Sequence, residues 1–379
     1  MRMRLLLSLL CTTPIAAPAL ADIAVVSNEG RQTLVEGVQT VVPSPKPDTV
    51  MVLDLAGAQP KLLFTVEAPG SAVGPPFSVA VSPDEKFALV TAPMKLDPAD
   101  ATKQTADNRI SVIDIAQKKV VQTTTAGKSP AGVSFNKQGD LALVANRGDG
   151  TLSVFSFAGG QLTPVNVLKI GDEKSQPSHV AIAGDGKSAL VTRDGDHFIS
   201  VLAIDGTNVK VTDRTLRSGI RPYSIDIAPQ GDVAIVGDLG SNSGDNNTVS
   251  VIDLKNGPAH VVSSVTVGQT PEGLKLSPDG KLLAVAINNG SNLSPKSPFY
   301  VDHGLLQIYR RDGTKLTKIT EAPTARWTQG VAWSANGKML IVQSMLDKML
   351  QPFAFDGKKL KALTVMQLET GSAAIRTAH

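Results

Sequence analysis

One unit recurs along this chain with a period of roughly 45 to 50 residues, its start marked by Pro130, Pro177, Pro222 and Pro271. Six segments carry the same apolar core: Phe87-Ala88-Leu89-Val90, Leu141-Ala142-Leu143-Val144, Ser188-Ala189-Leu190-Val191, Val233-Ala234-Ile235-Val236, Leu282-Leu283-Ala284-Val285 and Met339-Leu340-Ile341-Val342. A short alternating run precedes each, such as Val133-Ser134-Phe135 or Leu274-Lys275-Leu276, and a tight turn rich in Asp, Asn, Gln and Gly joins the two. Glycine supplies the positive φ that such a reversal requires, so strand, turn, strand is the unit. A third strand follows, for example Leu152-Ser153-Val154-Phe155 or Val249-Ser250-Val251-Ile252, and then a more polar fourth, such as Val261-Val262-Ser263-Ser264-Val265. Repetition of this kind overrides the two or three domains that 379 residues would otherwise suggest.

The middle strands of each unit are apolar on both faces, as expected when every sheet is covered by a neighbour on either side. Four antiparallel strands per period match the blades of a β-propeller better than any helical repeat. The ends of the second strands, at Asn28, Ala92, Asn146, Arg193, Asp238, Asn288 and Ser344, count seven blades. The first has no inner strand before it, whereas Ser372-Ala373-Ala374-Ile375-Arg376 resembles an inner strand with nothing after it. The sequence therefore predicts an all-β, seven-bladed propeller whose C-terminal strand joins the N-terminal blade, closing the ring and removing exposed strand edges.

Met1-Arg2-Met3-Arg4, the apolar run Leu5 to Leu10 and Ala19-Leu20-Ala21 have the charged, apolar, small-residue order of a secretory signal. The expectation is a signal peptide over 1–21, a single propeller domain over 22–379, and a periplasmic or secreted product. Cys11, the only cysteine, falls in that leader, so the mature chain is expected to hold no disulfide, thiolate nucleophile or cysteine metal site. Lipidation at Cys11 would require a small residue before it, where Leu10 stands. Lysines and aspartates are intermixed at a net charge of +3, leaving no basic stripe for nucleic acid, and no later stretch is apolar for long enough to span a membrane.

The chain resembles the YVTN-type propeller repeat proteins and, more loosely, the seven-bladed lactonase family that includes bacterial 6-phosphogluconolactonase. The resemblance rests on starts such as Pro130-Ala131-Gly132-Val133 and Pro271-Glu272-Gly273-Leu274, on Ser277-Pro278-Asp279-Gly280-Lys281, and on Leu143-Val144-Ala145-Asn146. It speaks to fold more than to activity, since one scaffold hosts many functions.

In an antiparallel meander the second-to-third and fourth-to-next links share one rim. Three long insertions, Met94 to Asn108, Leu239 to Asn247 and Asn289 to His303, decorate that rim. The inner strands start there, and the residues after each leading proline, among them Tyr223 and Glu272, should point into the central funnel; second-strand ends add Arg147, Arg193, Asp238 and Asn288, and Arg221 and Arg326 precede two inner strands. Guanidinium groups hold carboxylate or phosphate through paired hydrogen bonds. The alternative for each arginine is a salt bridge between blades, to Glu29, Asp194, Asp238 or Glu272. His179, in Pro177-Ser178-His179-Val180, is similar to the Pro-x-His of the lactonase-type propellers, which implies a general base toward water; its alternative is a histidine bonded within the channel wall. Where that resemblance leads one to look for an acid after the second strand, this chain has Arg193 and Arg147.

Other signals are weaker. His197 and His303 could meet His179 at a metal, but no ligand spacing supports it, and no metal or cofactor is expected. Asp238 to Asn247 lacks the acidic spacing of a calcium loop. Gly127-Lys128-Ser129 and Gly186-Lys187-Ser188 lack the upstream glycine of a phosphate loop, no Gly-x-Ser-x-Gly elbow or haem site is present, and two tryptophans are too few for a quinone-docking pattern. Two classes of function remain. One is a hydrolase that opens a cyclic ester of a sugar acid, with His179 as base and Arg193, Arg221 or Arg326 placing the carboxylate. The other is a non-catalytic propeller binding a ligand or a periplasmic protein through its rim, with Phe299 and Tyr300 on the third insertion available for contact. A monomer is expected in either case.

Overall fold

The computed structural model describes residues 22–378; the expected leader, with Cys11, lies outside them. The described residues contain no helix. Seven antiparallel sheets stand in a ring, each running from an inner to an outer strand, with the outermost strand of the seventh split into Leu360–Ala362 and Met366–Gln367. The first sheet has the order Gly371–Thr377, Ile23–Glu29, Thr49–Asp54, Lys61–Glu67. Val26 faces Ile375 and Val25 faces Arg376 in that pairing, so the tail supplies the inner strand of the blade that the head begins.

Side-chain alternation explains the two-faced apolar strands. In the third blade Leu141, Leu143 and Ala145 pack toward the fourth blade, while Ala142 and Val144 pack toward the second. Seven such clusters occur, one per blade interface, and the last joins Ala24, Val26 and Ile375 to Ala332, Ile341 and Leu350 across the closure. Each middle strand is thus buried on both faces, which fixes its register, because a slip of one residue would exchange its two interfaces.

The inner strands depart from simple alternation at their starts. Pairing shifts between Pro130 and Val133, between Pro177 and Val180, and at the equivalent place in three further blades. The residue just before each of these strands has a left-handed backbone: Ser129, Gln176, Arg221, Thr270 and Trp327. The positive φ of Arg221 is therefore a feature of the blade and not strain peculiar to one site.

The loop-bearing rim differs from expectation in two respects. The insertion of the second blade continues its strands as a long hairpin, Phe87–Asp97 with Asp100–Asp114. A fourth insertion, absent from the sequence reading, is the hairpin Gln32–Val35 with Val38–Val41 in the first blade. Its two-residue turn, Glu36 and Gly37, has positive φ at both positions, the primed geometry that suits a twisted hairpin.

Candidate functional site

The ring is open at two mouths, and the structure distributes the expected site residues between them. At the loop-bearing mouth a cavity of about 310 Å³ is lined by Arg147, Arg221, Tyr223, Glu272 and Asn288, together with the hairpin residues Leu34, Gly37 and Gln39. Asn242 and Asn292 reach it from the insertions of the fifth and sixth blades. The hairpin forms part of the wall, with Leu34 packed on the cluster of Ala72, Trp327, Met345 and Ala373. Its base is fixed by Arg31, which pairs with Glu29 at 2.9 Å and Asp48 at 3.2 Å. Its tip reaches the sixth-blade insertion, where Glu36 accepts a hydrogen bond from Ser294 at 2.9 Å and pairs with Lys296 at 3.3 Å. Gly37 is needed there, since a Cβ at that position would stand 2.6 Å from the Ser294 nitrogen.

Two guanidiniums share one carboxylate beside this cavity. Arg147 donates to both oxygens of Asp194, to Ser178 Oγ at 2.6 Å and to Gln176 Oε1 at 2.7 Å, and lies 5.8 Å from the centre of the Tyr223 ring. Arg221 donates to Asp194 Oδ2 through Nη2 at 2.9 Å, while its Nη1 has only a long 3.5 Å contact with Gly240 O. The Arg221 side chain is 34% exposed against 14% for Arg147, so Arg221 is the one able to meet a ligand. Burial opposes the charge on Asp194, but Arg147, the Ser178 hydroxyl and Arg221 outweigh it and hold the carboxyl below its usual range.

Glu272 is the carboxyl of the cavity wall itself. Its Oε2 accepts from Asn288 Nδ2 at 2.7 Å and its Oε1 from Gln329 Nε2 at 3.0 Å. Burial pushes its pKa up to about 7, against the opposing pull of those hydrogen bonds and of Arg221. A carboxyl poised near neutrality can take and return a proton at physiological pH. Burial likewise raises the Tyr223 phenol, which stays protonated.

Four expected residues do not belong to this cavity. Arg193 is held by Asp196, Ile170 O and Ser200 Oγ beside the Phe198 ring. Arg326 is paired with Asp347. Asp238 is buried under the hydroxyls of Ser218, Thr248 and Ser250. All three are held by neighbouring strands, loops and turns. His179 is a separate case, for it lines a second cavity at the opposite mouth and shares none with Arg221. The expected convergence of His179 with Arg193, Arg221 or Arg326 is therefore corrected. The bulge after Pro177 and the glycine at the equivalent position of the third blade explain it: the imidazole occupies the space beside Gly132, where a Cβ would stand 2.8 Å from His179 Cδ2. There it stacks on Phe77, with ring centres 4.0 Å apart.

His197 Nδ1 accepts the Arg221 backbone N–H at 3.1 Å, and the half-buried His303 contacts Asp302 at 2.8 Å, so neither joins His179. Among the described residues no three His, Cys, Asp or Glu side chains converge as a metal site. Phe299 lies on Gly244 and links the fifth- and sixth-blade insertions, leaving its ring half exposed at the rim.

No family model and no curated protein matches the chain. Solved structures do. A "putative 6-phosphogluconolactonase" from Bacteroides fragilis superposes with a TM-score of 0.70 at 16% identity, over 95% of this chain and 99% of that one. The periplasmic gluconolactonase PpgL of Pseudomonas aeruginosa gives 0.67 at 17% identity, over 93% and 99%. In fold, the chain matches the lactonase-like seven-bladed propellers. The hydrazine synthase of Kuenenia stuttgartiensis also matches, with a TM-score of 0.62 at 18% identity over 81% of this chain and 90% of that one, so the fold by itself does not name an activity.

Proposed function

We propose that the chain is an exported hydrolase that binds a small polar molecule bearing an anionic group at the loop-bearing mouth and opens a sugar-acid lactone there. The observation that carries this reading is Glu272, a buried carboxyl with a pKa of about 7 in the same cavity as the partly free guanidinium of Arg221. Glu272 takes a proton from water as the oxygen attacks the ester carbonyl. Arg221 faces the oxyanion, and the ring oxygen leaves with the proton returned by Glu272, so that lactone and water give one hydroxy acid. The substrate class follows the names of two structural neighbours, and the periplasmic location follows the leader sequence and the name of one of them.

One observation favours a second reading, a propeller that binds such a ligand without turning it over. Both Glu272 oxygens already accept a side-chain hydrogen bond, and Arg221 already has Asp194. Proton release from δ-gluconolactone and 6-phosphogluconolactone, measured above the spontaneous rate, separates the two. The hydrolase reading expects Glu272→Gln to lose about 10²- to 10⁴-fold in kcat/KM, with a wild-type profile that rises with pH to an inflection near 7. Full activity in Glu272→Gln sinks the role of the carboxyl. Saturable binding of gluconate with no turnover of either lactone leaves the binding reading standing.

A further inference from the structure

The other mouth is framed by the tight first-to-second turns, and it holds a cavity of about 270 Å³. One pairing position of the inner strands dominates it. Ala80, Ser134, Ala181, Asp226, Lys275 and Arg376 face equivalent residues of their second strands, and all six line the cavity. Three of these seven-fold related places thus carry charge where the others carry alanine or serine. Lys137 adds a further cation at the exposed lip. Against Arg376, Lys275 and Lys137 the lining offers one carboxylate, Asp226.

That carboxylate is already committed. Asp226 Oδ1 pairs with Lys275 Nζ at 3.0 Å, and Oδ2 accepts the Leu276 N–H at 2.9 Å. Arg376 has no ion pair among the described residues, although the buried Arg31 and the partly buried Arg147, Arg193 and Arg311 each have a carboxylate. Its guanidinium lies 5.0 Å from the centre of the Phe77 ring, its Nη1 is 3.1 Å from His179 Nε2, and its Nε is buried without a partner. The histidine cannot make up the deficit. Its Nδ1 faces the Ile225 N–H at 3.3 Å, so both ring nitrogens meet donors, and a neutral imidazole has one lone pair to give. A guanidinium so placed is short of acceptors and of negative charge.

We propose that this mouth is a binding site for a small oxyanion, a phosphate or a carboxylate group, seated against Arg376 with Lys275 beside it. The site is independent of the lactone reading and lies at the opposite end of the ring from Glu272. The anion supplies the acceptors that Arg376 lacks, and two parallel N–H donors match its geometry. Binding also relieves the cationic field on His179. Burial first, then Arg376 and Lys275, hold that imidazole well below its ordinary pKa, so an anion between them raises it and is itself held more tightly as pH falls.

The test titrates the mature protein with inorganic phosphate, sulfate and acetate at constant ionic strength, by calorimetry and by the His179 ring ¹⁵N resonances. Phosphate, sulfate or acetate should bind saturably at this mouth and shift the His179 signals. Tighter binding of phosphate than of acetate assigns a phosphoryl ligand, and the reverse a carboxylate. Arg376→Gln should weaken binding by about 10- to 100-fold, Arg376→Lys should recover part of it, and Arg221→Met, at the other mouth, should leave it unchanged. Undiminished affinity in Arg376→Gln, saturation that leaves the His179 resonances unmoved, or loss of binding in Arg221→Met instead would overturn the proposal. If Arg376→Gln fails to fold, Lys275→Gln and the wild-type His179 resonances decide the same question.

Discussion

The two mouths of this propeller are built from the same seven strands, yet they balance charge in opposite ways. At the loop-bearing mouth Asp194 serves Arg147 and Arg221 together, Glu272 sits under two amide donors, and four insertions gather around the opening. At the turn-bearing mouth the connections are tight turns, and Arg376 is left without a direct ion pair. The contrast teaches that compensation is local to a layer of the ring: residues one position after the leading proline build the upper set, and residues three positions deeper build the lower. The strand Gly371–Thr377 crosses both layers. Its Ser372 donates to Gln343 Oε1 at 3.0 Å near one mouth, while Arg376 faces the other. Deleting residues 372–379 should therefore have the largest effect of any change considered, removing an inner strand and the closure cluster of Ile375 together. The expected outcome is loss of cooperative thermal unfolding by circular dichroism; a truncated chain that still melts as one unit would break the account of closure.

A pair of substitutions tests the charge contrast itself. Asp194→Ala strips the partner from two guanidiniums at once and should cost about 3–5 kcal/mol, read by chemical denaturation. Arg376→Gln removes a cation that makes no direct ion pair, Asp226 acting on it only from its pair with Lys275, and should leave stability unchanged or raise it by about 1–2 kcal/mol. Equal losses in the two variants would show that Arg376 is compensated after all. A gain in Arg376→Gln, beside weakened anion binding, is the pattern of a site that holds strain for function.

How far this division was legible follows from the same layers. The ring was readable because each blade repeats a turn signal and a two-faced apolar strand, and the closure because Ile375 sits in a segment of inner-strand pattern with no strand after it. Glu272, Tyr223, Asn288, Arg147 and Arg221 were readable as one group because all flank the rim end of their strands. His179 was misplaced because strict alternation fails at the bulge after Pro177, which no residue pattern marks. The lower site had a signal that went unused: Asp226, Lys275 and Arg376 occupy one register position across blades, visible once the six inner strands and the C-terminal strand are overlaid. The hairpin of the first blade also had one, in Leu34-Val35-Glu36-Gly37-Val38-Gln39, where alternation flanks a two-residue turn. It lacks the polar runs of the other three insertions, so it does not stand out as one.

The mouths should also respond to pH with opposite sign. Burial raises Glu272, and Glu29 beneath the hairpin, from 4.5 to about 7. Between those values the folded protein keeps protons that the unfolded chain has released, so this stabilisation is complete below about 4.5 and is lost as pH rises through about 7, by about 3 kcal/mol per group. His179 runs the other way. Its folded pKa lies well below the unfolded 6.5, so its contribution is present above that value and is lost as acid protonates the unfolded chain. Urea denaturation between pH 5 and 8 should show Glu272→Gln losing part of the decline with rising pH, and His179→Gln losing part of the decline toward acid. Identical pH profiles in wild type and Glu272→Gln would mean that the carboxyl is ionised throughout, and with it would go the case for Glu272 as a base.

The smallest expected effect on stability carries the finest distinction between the mouths. The polar ties of the hairpin tip across the upper opening run from Glu36 to Ser294 and Lys296, with Glu36 and Lys296 exposed. Such a surface tie contributes little to stability, and Glu36→Ala should barely move the melting temperature. Its consequence should be kinetic, because the hairpin lines the upper cavity while nothing of it reaches the lower one. Ligand exchange at the loop-bearing mouth, followed by stopped-flow with gluconate, should quicken a few-fold in Glu36→Ala, and raised salt should reproduce the gain in the wild type by screening the same pair. Phosphate exchange at the turn-bearing mouth should be indifferent to the substitution. Equal exchange rates in variant and wild type at low salt would show that the hairpin is a fixed wall, and the two mouths would then differ in charge alone.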